Sequence, residues 1–216
     1  MTGNQTDDFP VPGRNCFTAL RPGFPVHNRC HQSHDGTGFL QCSINFIFRQ
    51  RELFCRFSPV ENGKITLEEV YRFDNSQVVR NGHECWDLAQ LTRHILAGLK
   101  AAGEKGFIPE TVGIDTWGVD FVLVNELGLP VSDAVAYRDS RTDGMPEVLD
   151  GIVPFERLYA ATGIQRVKFN TVYQLLALKR ENPEQLEKAH RLLMIPDYLN
   201  FVLTGKMLNE YTIAST

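Results

Sequence analysis

A chain of 216 residues, 43% hydrophobic and 22% charged, is long enough to bury a core and has the make-up of an ordinary globular protein. Its formal net charge of −4 gives no electrostatic case for nucleic acid or an anionic membrane as the main partner. No apolar run approaches the ~20 residues needed to cross a bilayer. The opening MTGNQTDDFPVP carries acidic residues and no apolar secretory stretch, so a cytoplasmic protein is the expectation.

Residues 1–59 read as an irregular lead segment, rich in proline and glycine near its start and without a sustained period of 2 or 3.6. Its His27, Cys30, His31, His34 and Cys42 do not follow a regular zinc spacing. The run Asn45–Arg56 reads equally as a short helix or a strand. Four of the five cysteines (Cys16, Cys30, Cys42, Cys55) precede Val60 and Cys85 follows it; without a secretory signal they are expected to stay reduced.

From Val60 the pattern changes. Asn62-Gly63 is a hairpin signal, and Ile65, Leu67, Tyr71 and Phe73 fall on one face of a single alternating strand. Asp87 can cap a helix with Gln90 three residues on, and Leu88, Leu91, Ile95 and Leu99 recur at helical spacing until Gly103. His94 on that helix has no evident partner. Next come an extended run at Thr111–Thr116, then Gly118–Asn125 and Ala134–Tyr137 about a turn containing Gly128 and Pro130. Thr111–Thr116 and Val119–Val124 are expected in one sheet. Helices follow at Phe155–Ala161 and after a Thr171 cap, where Val172, Leu175, Leu176 and Leu178 form the apolar face. A short polar helix at Glu184–His190, a buried segment at Leu192–Ile195 and a helix opening at Pro196-Asp197 and closing at Gly205 complete the chain. Strands and helices in this mixture predict an α/β domain with a mixed sheet.

Polar residues concentrate where the central strands end. Asp115 and Asp120 flank a Trp117-Gly118 bend and form a candidate acid–base or cation-holding pair, against capping and solvation as the plainer roles. Arg138-Asp139-Ser140-Arg141 offers guanidinium forks for hydroxyls or phosphate, against an internal ion pair. Trp117 suits a sugar face or the core, and Asn170–Gln174 is polar for a helix start. Neither a Walker loop nor Gly-x-Gly-x-x-Gly after a strand is present. His34-Asp35-Gly36-Thr37-Gly38, the nearest glycine-rich match, follows a polar stretch that offers it no strand.

Six blocks in order, GIDTWGVDFVLVNELG, AYRDSRTDGM, ATGIQ, KFNTVYQLLAL, MIPDYLNFVLTGK and NEYTIAST, resemble the rhamnulokinase branch of the FGGY carbohydrate kinases, from about Val60 to the last residue. The resemblance implies a ribonuclease H-like N-terminal domain of the actin/hexokinase/Hsp70 type, with a mixed sheet and flanking helices, in a kinase of two domains about a cleft. The expected division is then an atypical lead segment at 1–59 and a partial FGGY N-terminal domain at 60–216. Also implied are ATP and Mg²⁺ as cofactors, L-rhamnulose as substrate and L-rhamnulose 1-phosphate as product. Carried over by residue, Gly118 is the implied sugar contact, with Trp117, Asp120, Arg138 and Asp139 lining the same cleft. The family's Asp-x-Gly-Ala-Ser-Ser-Gly-Arg phosphate loop would lie shortly before the Asn-Gly turn, where this chain has Phe54-Cys55-Arg56-Phe57-Ser58-Pro59. The family's catalytic aspartate belongs to a second half that would follow Thr216. The chain alone is therefore expected not to phosphorylate rhamnulose. A sugar-binding half-kinase without catalysis, a remnant, or an FGGY kinase for another ketose or polyol are the alternatives.

Overall fold

The structure is a computed structural model and describes residues 26–27, 43–48, 52–61 and 64–215. The strands of the first half are β1 (Val26–His27), β2 (Ser43–Phe48), β3 (Glu52–Ser58), β4 (Val60–Glu61), β5 (Lys64–Ile65), β6 (Glu68–Asp74), β7 (Gln77–Arg80), β8 (His83–Trp86) and β9 (Thr111–Asp115). Five of them build the main sheet in the order β1-β9-β2-β3-β6. β1, β9 and β2 run parallel, while β2, β3 and β6 run antiparallel. The sheet is mixed, as expected.

The expectation of an irregular lead segment does not hold for residues 43–48 and 52–58. Both runs alternate: Ile44 and Phe46 on β2, and Cys55 and Phe57 on β3, are buried in the main core. On the opposite face, Phe54 lies under the guanidinium groups of Arg72 and Arg56, 4.1 and 5.3 Å from its ring centre. The described parts of the ambiguous Asn45–Arg56 run, 45–48 and 52–56, are thus strand, because their period of two finds partners on both sides.

The helix α1 (Leu88–Glu104) crosses the main sheet. The Asp87 carboxylate accepts from Gln90 N–H, and Leu88, Leu91, Ile95, Gly98 and Ala102 form its buried stripe. Gly98 permits the closest approach: a Cβ there would stand 2.8 Å from Phe46 Cε1 and 3.1 Å from Cys55 Cβ. The helix runs past Gly103 and the chain turns away at Gly106, at φ 80°. His94 does have partners: its Nδ1 is 2.8 Å from Tyr71 Oη, and its ring stacks on Phe73.

Two other expectations change. Ile65 and Leu67 are 61% and 60% exposed, because the run expected as one strand divides into β5 and β6. β10 (Phe121–Val124) leaves the sheet of β9 and pairs antiparallel with β12 (Arg191–Met194). β11 (Ala134–Val135) likewise joins β8 and β7 rather than closing a hairpin with β10, leaving one bridge, Val124 to Pro130, across the turn. The reason is burial on both faces of β10. Val122 and Val124 face the main core, whereas Phe121 and Leu123 face a second cluster with Leu178 and Met194.

Six further helices follow: α2 (Met145–Asp150), α3 (Phe155–Thr162), α4 (Thr171–Glu181), α5 (Pro183–Lys188), α6 (Ile195–Thr204) and α7 (Tyr211–Ala214). α2 has no counterpart in the sequence reading, although Pro146 at its first turn is a usual helix-start signal. Gly163 and Gly205 stop α3 and α6 at positive φ.

Candidate functional site

The link between β9 and β10 carries the strongest backbone anomaly. Val119 adopts φ 68°, a conformation that a β-branched side chain resists. Asp120 N–H donates to Gly118 C=O at 3.0 Å, closing a tight three-residue turn about Val119. Such a residue costs on the order of 1–3 kcal/mol and persists only where its surroundings hold it. Here α4 supplies the hold. Thr171 Oγ1 donates to Val119 C=O at 2.7 Å and Gln174 Nε2 approaches the same oxygen at 3.2 Å. Thr171 was expected to cap its helix; Asn170 occupies the cap position and the Thr171 hydroxyl reaches the turn instead.

Asp120 is fully buried and receives four donors. Trp86 Nε1 (2.6 Å), Trp117 Nε1 (2.8 Å) and Tyr137 N–H (3.2 Å) converge on Oδ2, and Gln174 Nε2 (3.1 Å) meets Oδ1. Burial pushes its carboxyl up to about 6, against the downward pull of those bonds. Asp115 ends β9 exposed while Asp120 is buried, so the two do not form the expected acid–base or cation pair. Nor does Asp120 face a cleft: its acceptor positions are taken by the protein itself.

Asp139 is also turned inward, at 3% exposure. It accepts from His83 Nδ1, Glu84 N–H and Arg141 N–H, each at 2.9 Å, and caps the short turn Ser140–Thr142. Burial acts to raise its carboxyl, but the three bonds outweigh it and the net shift is downward. Arg138, its neighbour, is exposed, with its guanidinium over the Tyr137 ring and Nε 3.3 Å from Tyr137 Oη. Trp117 is half-buried, its ring 4.1 Å from that of Trp86.

The five expected residues therefore divide. Trp117, Gly118 and Arg138 remain partly or fully accessible, while Asp120 and Asp139 stand behind them. Sequence reasoning did not single out Trp86 or His83, and it met Gln174 only as part of the polar Asn170–Gln174 helix start. The signal for Gln174 was present: an uncharged polar residue between Tyr173 and Ala177 on the buried side of α4. Of the expected Val172/Leu175/Leu176/Leu178 face, Leu178 is buried on that side, Leu175 and Leu176 are half-buried, and Val172 is exposed.

Arg141 bridges this site to a cavity of about 260 Å³, also lined by Arg80, His83, Asp133 and Glu181. Its Nη2 donates to Gln174 Oε1 at 2.7 Å, its Nε is buried without a partner among the described residues, and burial lowers its pKa. No three His, Cys, Asp or Glu side chains among the described residues converge as metal ligands would, so no described residue is assigned to a cation.

The N-terminal domain of the FGGY family of carbohydrate kinases matches residues 60–216, and the chain belongs to that family. It is 55% identical over 157 residues to the rhamnulokinase of Oceanobacillus iheyensis and 53% identical over 156 residues to that of Halalkalibacterium halodurans. These alignments cover 73% and 72% of this chain and 33% of each relative, so the chain spans about a third of the curated relatives' length.

Solved structures share the fold at low identity. A gluconate kinase from Lactobacillus acidophilus superposes with a TM-score of 0.71 at 16% identity, covering 82% of this chain and 36% of that one. The glycerol kinase of Plasmodium falciparum, solved with ADP, gives 0.62 at 17%, covering 83% and 38%. The ribonuclease H-like fold of these sugar kinases is therefore the fold of this chain. The first superposition takes in 82% of 216 residues, about 177, which exceeds the 157 residues of 60–216 and so extends into the lead segment.

Proposed function

We propose that this chain is the sugar-holding portion of a rhamnulokinase-like enzyme whose substrate is L-rhamnulose. One observation carries the reading: the stretch 55% identical to a rhamnulokinase contains the strained turn at Gly118–Asp120, where backbone is brought to a fixed, half-accessible position. Gly118 lets a ligand approach the main chain without a side chain in the way. Trp117 offers its half-exposed aromatic ring to sugar C–H groups, and the exposed Arg138 fork donates to hydroxyls. Asp120 and Asp139 act from behind, fixing Trp117 and the Arg138 segment.

Family membership also supports ATP as phosphoryl donor and Mg²⁺ as its counter-charge, in the cytoplasm. When bound, the metal would neutralise charge developing on the transferred phosphoryl group. No step is assigned to the metal, because no three His, Cys, Asp or Glu side chains among the described residues converge as its ligands would. What this chain's own residues supply is orientation of the hydroxyl-bearing substrate, which is a large share of what phosphoryl transfer demands.

Calorimetry of the 216-residue chain with L-rhamnulose tests the reading, with D-xylulose and glycerol as comparison ligands. Saturable heat for rhamnulose, at least about tenfold tighter than for the others, is expected. Equal affinity for D-xylulose would move the assignment to another sugar, and no heat for any of the three would sink it.

A further inference from the structure

We infer that Gln174 is the positioning residue of this site: it clamps the strained turn in place and thereby sets where Gly118 stands. This deepens the sugar-binding reading above and rests on it. The side chain is fully buried, and its amide touches three separate segments. Its Nε2 lies 3.2 Å from Val119 O, 3.1 Å from Asp120 Oδ1 and 2.9 Å from Phe169 O. Its Oε1 accepts from Arg141 Nη2 at 2.7 Å.

Those partners belong to the turn after β9, to the segment before α4 and to the turn after β11. The first carries Gly118 and Trp117. The second presents Phe169, whose ring meets Tyr137 edge-on at 5.5 Å. The third follows Arg138 and Asp139. One amide thus ties together the three stretches that supply every candidate contact.

Amide chemistry suits the task. Two N–H bonds face the three acceptors, and one carbonyl faces a guanidinium, so donor and acceptor ends cannot be exchanged without opposing like groups. A carboxylate would confront Asp120 Oδ1, and a hydrocarbon would leave Arg141 Nη2 with only the 3.4 Å bond to Val135 O. The backbone at Val119 has the most to lose, because its conformation is unfavourable by itself. Thr171 and Gln174, three residues apart on one side of α4, grip the same carbonyl.

Two readouts on the 216-residue chain test this, one of them free of ligand. The first is amide hydrogen exchange at Asp120, whose N–H closes the turn, with Ile114 in β9 as reference. In Gln174→Met the Asp120 amide is expected to exchange at least about tenfold faster than any change at Ile114 explains. In Gln174→Glu, which keeps an acceptor for Arg141 but not the donors, the same selective acceleration is expected. The second readout is L-rhamnulose affinity, expected to weaken at least about tenfold in both variants.

Equal acceleration at Asp120 and Ile114 would mean a loss of overall stability only and would overturn the inference. So would unchanged rhamnulose affinity in a Gln174→Met chain that has lost its protection at Asp120. If the unaltered chain gives no rhamnulose heat, the sugar reading falls by itself, and the exchange result still decides whether Gln174 holds the turn.

Discussion

The sheet under α1 and the Asp120–Gln174 pair under α4 are both buried, but they are held by opposite means. At the α1–sheet contact, Phe46, Cys55, Ile95 and Ile114 are buried in one apolar cluster, and the fit depends on volume and on the missing side chain of Gly98. Beneath α4, Asp120, Gln174 and the two indole N–H groups are held by hydrogen bonds whose donors and acceptors must match. Apolar packing is non-directional and tolerates small shifts, whereas a buried polar network loses a full desolvation cost for each partner removed. The contrast places tolerance at the sheet and precision at the candidate site.

The largest break should come from the polar side. Asp120→Ala takes the acceptor from two indole N–H groups and one backbone N–H, while the Gln174 amide keeps its two backbone acceptors, and about 3 kcal/mol of stability is expected to go. Urea unfolding measures it; a loss below about 1 kcal/mol would mean that the network is not what secures this region.

A pH series sharpens the comparison next. The Asp120 carboxyl is pushed up to about 6 in the folded chain by burial, and an unfolded aspartate titrates near ~3.9. Between these values the folded chain keeps a proton that the unfolded chain releases. Its contribution is therefore full below about pH 4 and fades as pH rises through about 6. Relative to Asp120→Asn, the native chain is expected to gain about 2 kcal/mol between pH 7 and pH 4.5. Asp139, shifted downward, works the other way: its contribution is present above the ordinary carboxylate range and is lost on acidification. The chain's two tryptophans both report on Asp120, so their indole N–H resonances should titrate together near pH 6. Resonances that stay still from pH 4.5 to 7.5 would remove the buried proton from the account.

On the apolar side, Gly98→Ala is expected to cost about 1–2 kcal/mol, because the new methyl meets Phe46 and Cys55. At an exposed helix position the same change would stabilise by up to ~1 kcal/mol. A Tm that rises in Gly98→Ala would mean that β2 and β3 do not pack beneath α1 as described, since both contacts come from residues before Val60.

Much of this was legible in the chain, and the failures have causes. Asp87 with Gln90, the Leu88–Leu91–Ile95 stripe, and Gly163 and Gly205 as stops are local features whose physics lies within a few residues. The lead segment misled because its proline-rich start masks two short alternating runs, which become strands only when β6 and β9 pair alongside. Ile65 and Leu67 misled for the converse reason: the alternation is there, but no second layer covers it.

At the site itself, residues 111–141 were recognisable as a unit where polar groups end apolar runs, and the six ordered blocks identified the family. Which of those polar groups faces outward was not recognisable. Asp120 and Arg138 look alike as charged residues beside aromatic ones, yet one is fully buried under four donors and the other is exposed on a tyrosine ring. Local periodicity and composition settle what each segment becomes, because helix and strand preferences act over a few residues. The turn at Val119, the convergence of Trp86, Trp117 and Gln174 on one carboxylate, and the separation of β10 from β9 were decided only by the tertiary structure. Apart from the Trp117 contact, they depend on partners at least 34 residues away in the chain, where no local preference reaches.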